Sequence, residues 1–445
     1  IWISSGSRYI HLVSGSDDGQ PVRSSGIASD HGSYTPVHLL RRDVVNSQRN
    51  SRWAPAKYCA AINMKDSNSQ QSGLSKCEVV IAGGGTAGHL LPGLAVAEEL
   101  QKDGWDKDQI VFIGSARGLE KQLVPESGYR LWALTGRGLN GRRISLANFW
   151  NLIGICWAVV RAVWIIARLR PRVVLSLGGY AALPGALGAV ILRVPLVLAE
   201  QNAAASATNR LLRNFAKAAA VPSPGTGLKN EVVTGNPIRD SVLEAHQLGR
   251  ESRPELGWPR HDPVVVVFGG SLGSLRINRA LWQAASSAQL PIIHHVVGRR
   301  DWHAVPSSLP ENIRSLEYDD NLPKAIAAAD LVVCRPGGST SAELAVLGVP
   351  AILVPLPNAP NDHQRRNADV LVKAGFATVV DDAELDGKRL TTEIERMLSA
   401  SQGSDDPDGE RHRRSVGFPR ATRNVADLVL IHASAKQSPN GRKKR

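Results

Sequence analysis

The stretch Val79-Val80-Ile81-Ala82-Gly83-Gly84-Gly85-Thr86-Ala87-Gly88-His89 and its echo Val265-Val266-Val267-Phe268-Gly269-Gly270-Ser271 decide the fold. Each opens with an unbroken apolar run, the mark of a strand buried on both faces. Each then breaks at consecutive glycines, which permit a tight turn and close backbone approach, and passes into a helical stretch. A later copy of the device stands in each half: Val174-Leu175-Ser176-Leu177-Gly178-Gly179-Tyr180 and Val332-Val333-Cys334-Arg335-Pro336-Gly337-Gly338-Ser339-Thr340. Further strands read at Ile110–Ile113, Leu196–Leu198, Ile292–Val297 and Ala351–Val354, separated by helical stretches, so the sheets are parallel and covered on both sides. The series restarts at Val264 after a Pro- and Arg-rich interval, Glu251–Pro263. The fold class is therefore α/β, with two Rossmann-like doubly wound domains facing an interdomain cleft. The glycine turns lie at the carboxyl ends of strands, where ligands bind in such sheets.

The full length agrees, since 445 residues exceed one ordinary core of ~100–200 residues. The expected divisions are residues 76–236, residues 237–415 with a linker near 236–263, a helix within 416–435 and a basic tail at 436–445. Residues 1–75 are rich in Ser, Asp, Asn and Arg and have no periodicity, so disorder or a mis-annotated extension is expected there, with Met64 as the start. A transit peptide is the alternative, although Asp17, Asp18, Asp30 and Asp43 are out of keeping with one. The apolar fraction of 43% and charged fraction of 21% exclude collagen, coiled coil and secreted mini-protein. The four cysteines, Cys59, Cys77, Cys156 and Cys334, form no C-x-x-C pair, which points to a reducing compartment. A net charge of +13 favours anionic partners. Nucleic acid is not expected among them: the basic runs 411–414 and 442–445 lack interleaved aromatics that could stack bases.

Between Leu146 and Leu169 one apolar stripe runs Leu146, Phe149, Trp150, Ile153, Trp157, Val160 and Trp164. A second runs Leu152, Ile155, Val159, Ala162, Ile166 and Leu169. One stripe can cover a sheet; the other is left over. Arg161 interrupts the run before the ~20 apolar residues that a membrane span requires. With Arg137, Arg142, Arg143, Arg168 and Arg170 nearby, the surplus stripe reads as a patch resting on an anionic membrane. A fully buried helix is the alternative.

Gly83–Gly88 fits G-x-G-x-x-G, which ordinarily marks a dinucleotide site. The acidic residue expected at the end of the second strand is missing, because Ile110–Ile113 runs on to Gly114-Ser115. A helix N-terminus nevertheless favours anionic groups. His89, in the first helical turn, would be kept neutral there and able to accept a proton. In the second half, Ser271 and Ser274 stand ready to donate to phosphate, and Glu343 follows Gly337-Gly338 by one helical turn. A carboxylate there can take both hydroxyls of a ribose. Two phosphate-type turns plus such a carboxylate describe a sugar nucleotide.

Six motifs occur in one order: Gly84-Gly85-Thr86-Ala87-Gly88-His89, Gly178-Gly179-Tyr180, Glu200-Gln201-Asn202, Gly235-Asn236-Pro237-Ile238-Arg239, Gly269-Gly270-Ser271-Leu272-Gly273 and Asp362-His363-Gln364-Arg365-Arg366-Asn367-Ala368. From Cys77 to Ala433 the chain closely resembles the MurG family, the peptidoglycan GlcNAc transferases of glycosyltransferase family 28. The resemblance implies a GT-B fold and inverting transfer of GlcNAc from UDP-GlcNAc to the MurNAc C4 hydroxyl of undecaprenyl-pyrophosphoryl-MurNAc-pentapeptide (lipid I), giving lipid II at the cytoplasmic face of the bacterial membrane. It implies that Thr86, Ala87, Gly88, Asn202, Arg239, Ser271, Tyr318, Gly338, Ser339, Thr340, Ser341, Ala342, Glu343 and Gln364 bind UDP-GlcNAc. It makes His89 the candidate general base, with Tyr180 and Glu200 beside it and Asn209 and Asn278 in support. The loop Thr135–Ser145 then borders the acceptor pyrophosphate, with 146–169 as the membrane-side surface of the first domain.

The chain departs from the family at Ala87, where a Gly is common, at Ala199, where many members carry His, and at Pro336, which removes an amide donor. No metal or cofactor is expected: Asp319 and Asp320 are adjacent, so their side chains diverge, and helix N-termini with Arg239 can carry the leaving-group charge. Rival readings are another lipid-acceptor glycosyltransferase, such as a diacylglycerol galactosyltransferase, a GT-B epimerase, and a basic nucleic-acid-binding protein.

Overall fold

The structure, a computed structural model, describes residues 76–135, 146–270, 273–402 and 417–434. The expectations for residues 1–75, the loop 136–145, Ser271 and the basic tail lie outside these residues, as do the side chains of Leu146, Phe149, Trp150 and Leu152.

The first lobe runs β1 (Val79–Ala82), α1 (Ala87–Lys102), β2 (Ile110–Ser115), α2 (Glu120–Glu126), β3 (Arg130–Leu134), α3 (Leu146–Leu169), β4 (Val173–Ser176), α4 (Gly179–Ile191), β5 (Leu196–Ala199), α5 (Ala207–Leu212), β6 (Ala218–Val221) and β7 (Glu231–Val233). The second runs α6 (Asp240–Leu248), β8 (Val264–Phe268), α7 (Leu275–Ser287), β9 (Ile292–Val296), β10 (Ile313–Leu316), α8 (Leu322–Ala328), β11 (Leu331–Cys334), α9 (Gly338–Leu347), β12 (Ala351–Leu353), α10 (His363–Lys373), β13 (Ala377–Val379) and α11 (Gly387–Gln402). A last helix, α12 (Ala421–Ser434), follows. The sheet orders are β3-β2-β1-β4-β5-β6-β7 and β10-β9-β8-β11-β12-β13, parallel throughout.

Both orders reverse at the first strand of the lobe, so β1 lies beside β4 and β8 beside β11. The register pairs Ala82 with Ser176 and Phe268 with Cys334, which brings the two glycine turns of each lobe level with one another. Five strands were not foreseen: β3, β6, β7, β10 and β13. Ala218-Ala219-Ala220-Val221 favours a helix by propensity, yet it is wholly buried between β5 and β7, where small side chains let helices approach the sheet. The other four are short or lie at sheet edges, with weak alternation.

The interval 236–263 is not a loose linker. Ile238, Val242, Ala245 and Trp258 join the second lobe's core. Arg253 is fully buried, donating to the carbonyls of Ala328 (2.9 Å), Arg260 (2.9 Å) and Asp262 (3.1 Å) and to the Asp330 carboxylate (2.6 Å). Composition alone suggested a spacer because the partners of Arg253 are distant in sequence. Helix α12 returns to the first lobe, where Val425, Ala426, Val429 and Ala433 pack into the cluster of Ile81, Leu90 and Leu175. The chain thus crosses between sheets twice, near Gly235–Ile238 and Phe418–Thr422, and the crossings are tied by Thr422 Oγ1, which donates to Ile238 O (2.7 Å) and accepts from Ile238 N (3.0 Å).

Breaking a buried ion pair from one side leaves the other charge unpaired. Asp330 would keep Arg250 and the Val264 amide, so Arg253→Met should cost about 3 kcal/mol by chemical denaturation, the loss shared between the pair and the carbonyls of Ala328, Arg260 and Asp262. An Arg253→Met/Asp330→Leu double variant should recover part of it; a double variant as unstable as the sum would count against the pairing.

Candidate functional site

A cavity of about 380 Å³ lies where the lobes meet. The first lobe contributes Ala87, Gly88 and Leu91 from α1; the second contributes the Phe268–Gly270 turn, Tyr318–Asp320, Arg335 and the start of α9. Of the residues expected to bind the donor, Ala87, Gly88, Arg239, Tyr318, Gly338, Ser339, Thr340, Glu343 and Gln364 line this cleft.

Helix α9 starts at Gly338 behind the cap residue Gly337, so its first free amides face the cavity with the positive end of the helix dipole. The 3.6-residue turn sends Gly338–Thr340 and Glu343 to the cleft. Ser341 and Ala342 turn away, against the expectation that the whole run Gly338–Glu343 meets one ligand. They line a separate cavity of about 50 Å³ with Gln201, Asn236 and Asn367. Glu343 is largely buried and accepts from Arg239 Nη2 at 3.2 Å. Burial pushes its carboxyl above the ordinary value, and Arg239 opposes that. The Arg239 Nε is buried and unpartnered, as is Ser274 Oγ at the start of α7. Among the described residues both are donors with no acceptor. Arg299 stacks its guanidinium over the Tyr318 ring at 5.1 Å.

Thr86 and His89 flank Ala87-Gly88 without lining the cleft themselves: Thr86 is the cap residue of α1, but its Oγ1 bonds His89 Nδ1 (2.9 Å) instead of a backbone amide. That fixes the ring and leaves Nε2 facing Gly179, where a Cβ would sit 3.5 Å from it. Gly179 has φ +70°, and a side chain there would crowd the imidazole. Burial pushes the His89 pKa below its ordinary value; the Glu200 charge pulls the other way. Glu200, almost fully buried, accepts from Asn202 N (3.1 Å) and Nδ2 (3.2 Å), Ser206 N (2.8 Å) and Asn209 Nδ2 (2.9 Å). All its lone pairs are engaged, so it shapes the 200–209 loop and the field at His89. Tyr180 is exposed and donates to Ser115 Oγ at 3.4 Å.

Two expected residues stand elsewhere. Asn278, expected in a supporting role, is buried under β9, donating to Val297 O (3.1 Å) and Asp301 Oδ2 (3.3 Å) and accepting from His295 Nε2 (3.0 Å). Burial pushes the His295 pKa down to about 4. Asn202 spends its amide at the lobe junction, accepting from Asn367 Nδ2 (3.1 Å). Asn367 also accepts from Ala203 N (2.8 Å), a second bond between the lobes, and donates to Pro336 O (3.2 Å) within its own lobe. Sequence reading quoted Asn367 within a motif without giving it a role, and missed Arg299 and Arg335, whose partners are remote in sequence. Among the described residues no three His, Cys, Asp or Glu converge as metal ligands.

The sequence matches the glycosyltransferase family 28 N-terminal domain over residues 79–221 and the family 28 C-terminal domain over residues 264–414. The chain belongs to glycosyltransferase family 28. It is 38% identical over 366 residues to the UDP-N-acetylglucosamine--N-acetylmuramyl-(pentapeptide) pyrophosphoryl-undecaprenol N-acetylglucosamine transferase of Anaeromyxobacter sp. (strain Fw109-5), covering 79% of this chain and 92% of that one. It is 37% identical over 368 residues to the protein of the same name from Alkalilimnicola ehrlichii, covering 80% and 99%. The crystal structure of Acinetobacter baumannii MurG superimposes with a TM-score of 0.61 at 28% identity, over 80% of this chain and 99% of that one. The kitacinnamycin glycotransferase, at 20% identity and a TM-score of 0.58, shares the fold alone. Two facing parallel-sheet lobes are thus the GT-B architecture, and this family 28 chain is a glycosyltransferase.

Proposed function

We propose that this family 28 protein transfers GlcNAc from UDP-GlcNAc to the C4 hydroxyl of MurNAc on lipid I, with inversion at the anomeric carbon, giving lipid II for peptidoglycan. One observation supports the reading: a single cleft joins the start of α1 at Ala87-Gly88, next to His89, with the N-terminus of α9, Arg239 and the Glu343 carboxylate of the second lobe. The chain also aligns along nearly the whole length of enzymes named for that transfer.

The diphosphate lies against the α9 amides and Arg239, where preorganised dipoles stabilise the charge that grows on the leaving UDP. Glu343 takes the ribose hydroxyls, with Arg239 opposing the upward push of burial on its carboxyl. The acceptor oxygen attacks C1 as the C1–O bond to UDP breaks. His89 Nε2 takes the hydroxyl proton while Nδ1–H donates to Thr86, the tautomer this role demands. Tyr180 and Asn209 sit on the acceptor side.

The protein rests on an anionic membrane through α3. The second apolar stripe is spent inward, with Ala162 and Ile166 buried under α4. The first is left over: Ile153, Trp157, Val160 and Trp164 are 44–60% exposed. Trp164 is braced by Trp132 (6.1 Å between ring centroids) and Arg168 (5.9 Å). No described helix is long and apolar enough to cross a membrane.

The deciding measurement is radiolabelled GlcNAc transfer from UDP-GlcNAc to a short-chain lipid I analogue, with UDP-galactose as the control donor; preference for galactose would overturn the reading. His89→Ala should lower kcat by about 10²–10⁴ with little change in donor affinity. Since only neutral His89 accepts a proton, and its pKa is depressed, kcat/KM should rise through an acid limb below 6.5 and stay level above it. A limb above 6.5 would reassign the base. Glu343→Ala removes hydrogen bonds to a charged acceptor, worth about 1.5–3 kcal/mol each, so the donor KM should rise about tenfold or more while kcat falls less. Trp157→Ser with Trp164→Ser should weaken binding to anionic liposomes at least about tenfold, each buried Trp contributing about 2 kcal/mol or more; unchanged binding would refute the membrane surface.

A further inference from the structure

The first glycine turn is not empty. Glu120, the first residue of α2, is fully buried, and its carboxylate enters the turn: Oε2 accepts from Gly85 N (2.8 Å) and Oε1 from Ser115 N (2.6 Å). Three glycines make room for it. A Cβ at Gly84 or Gly118 would fall on the carboxylate, and one at Gly114 would come within 2.8 Å of the Glu120 Cγ. Among the described residues no cation pairs with it, so backbone amides balance the buried charge. Backbone amides at a strand–glycine–helix turn are the groups that ordinarily gather a ligand's phosphate.

We propose that Glu120 is a positioning residue, a resident anion in the phosphate position of the first glycine turn. It closes the amides of Gly85 and Ser115 to anionic substrate groups and fixes the segment that presents His89. The connection is short. Gly85 precedes Thr86, whose Oγ1 holds His89 Nδ1 at 2.9 Å. Ser115 Oγ accepts from Tyr180 at 3.4 Å, and the Tyr180 ring lies where a Gly85 Cβ would come within 3.0 Å of it. One carboxylate therefore ties the end of β2 to both His89 and Tyr180. The substrate's phosphates must then be gathered elsewhere than at these two amides of the first turn. The proposal rests on His89 as the general base.

The test is chemical rescue. Glu120→Ala leaves a carboxylate-sized cage lined by amides. Its kcat should fall up to about a hundredfold, the scale of an ångström misplacement of a catalytic group, while UDP affinity by calorimetry stays within threefold of wild type. Formate or acetate should restore kcat saturably, and chloride at equal ionic strength should not. Glu120→Gln, which sets an amide NH₂ against N–H donors, should fall likewise and resist rescue. Wild-type kcat in Glu120→Ala would overturn the proposal, and so would loss of kcat with UDP binding intact and no response to either carboxylate. If Glu120→Ala loses UDP binding and its thermal transition, Glu120→Asp decides: restored folding without restored kcat supports a positioning role, and full activity overturns it. Failure of the His89 reading shows separately, as wild-type kcat in His89→Ala.

Discussion

Everything at the cleft depends on where the strand order reverses. Because β1 lies beside β4 and β8 beside β11, each lobe brings two glycine turns to one level at the carboxyl edge of its sheet. The strands that enforce this are buried on both faces, so they cannot slip in register without carrying apolar side chains into helix-facing gaps. Backbone amides and helix N-termini are consequently fixed before any ligand arrives. That is the condition under which dipoles stabilise a leaving group without having to reorganise. The side chains of the site are additions to this frame: His89 on one edge, Arg239 and Glu343 on the other.

The second constraint is how closely the lobes meet. The Ser339 hydroxyl donates across the cleft to Gly88 O at 3.2 Å, and Gly338 lies so close to Gln201 O that no side chain fits between them. Asn367 spans the same junction with two hydrogen bonds, one accepted from Ala203 N and one donated to Asn202 Oδ1. These contacts are polar and few, and the chain crossings at Gly235–Ile238 and Phe418–Thr422 lie side by side. Such a junction allows relative motion more readily than a large apolar interface would. A donor bound between α9 and α1 would act on this junction directly, since Ser339 and Gly88 both border it.

Much of this was legible because the controlling signals are local. Unbroken apolar runs ending in glycines mark both sheets, and the helical spacing of α3 separates a stripe that can cover the sheet from one left over. What escaped was set by tertiary context. Ala218–Val221 is a strand because its neighbours are strands, not because alanine prefers extension. Arg253 seemed part of a spacer because its four acceptors are scattered over the fold. Asn278, expected as a supporting polar residue, lies buried beneath β9 with Val297 and His295 as partners, a placement no spacing reveals. The orientation of Ser341 and Ala342 could have been foreseen, since helical periodicity alone turns them from the face that carries Glu343.

Three buried carboxylates show how satisfaction distinguishes scaffold from site. Glu200 accepts four donors from its own loop and has no lone pair to offer a substrate. Glu120 accepts two amides inside a cage of glycines that fits nothing larger. Glu343 has a single Arg239 nitrogen, and burial drives its carboxyl upward in spite of that cation. A buried acceptor left short of donors carries a desolvation cost that a ligand's hydroxyls can relieve. The sequence motifs single out Glu200 and Glu343 and pass over Glu120. Only the count of donors ranks them, and it leaves Glu343 as the one with chemistry still to complete.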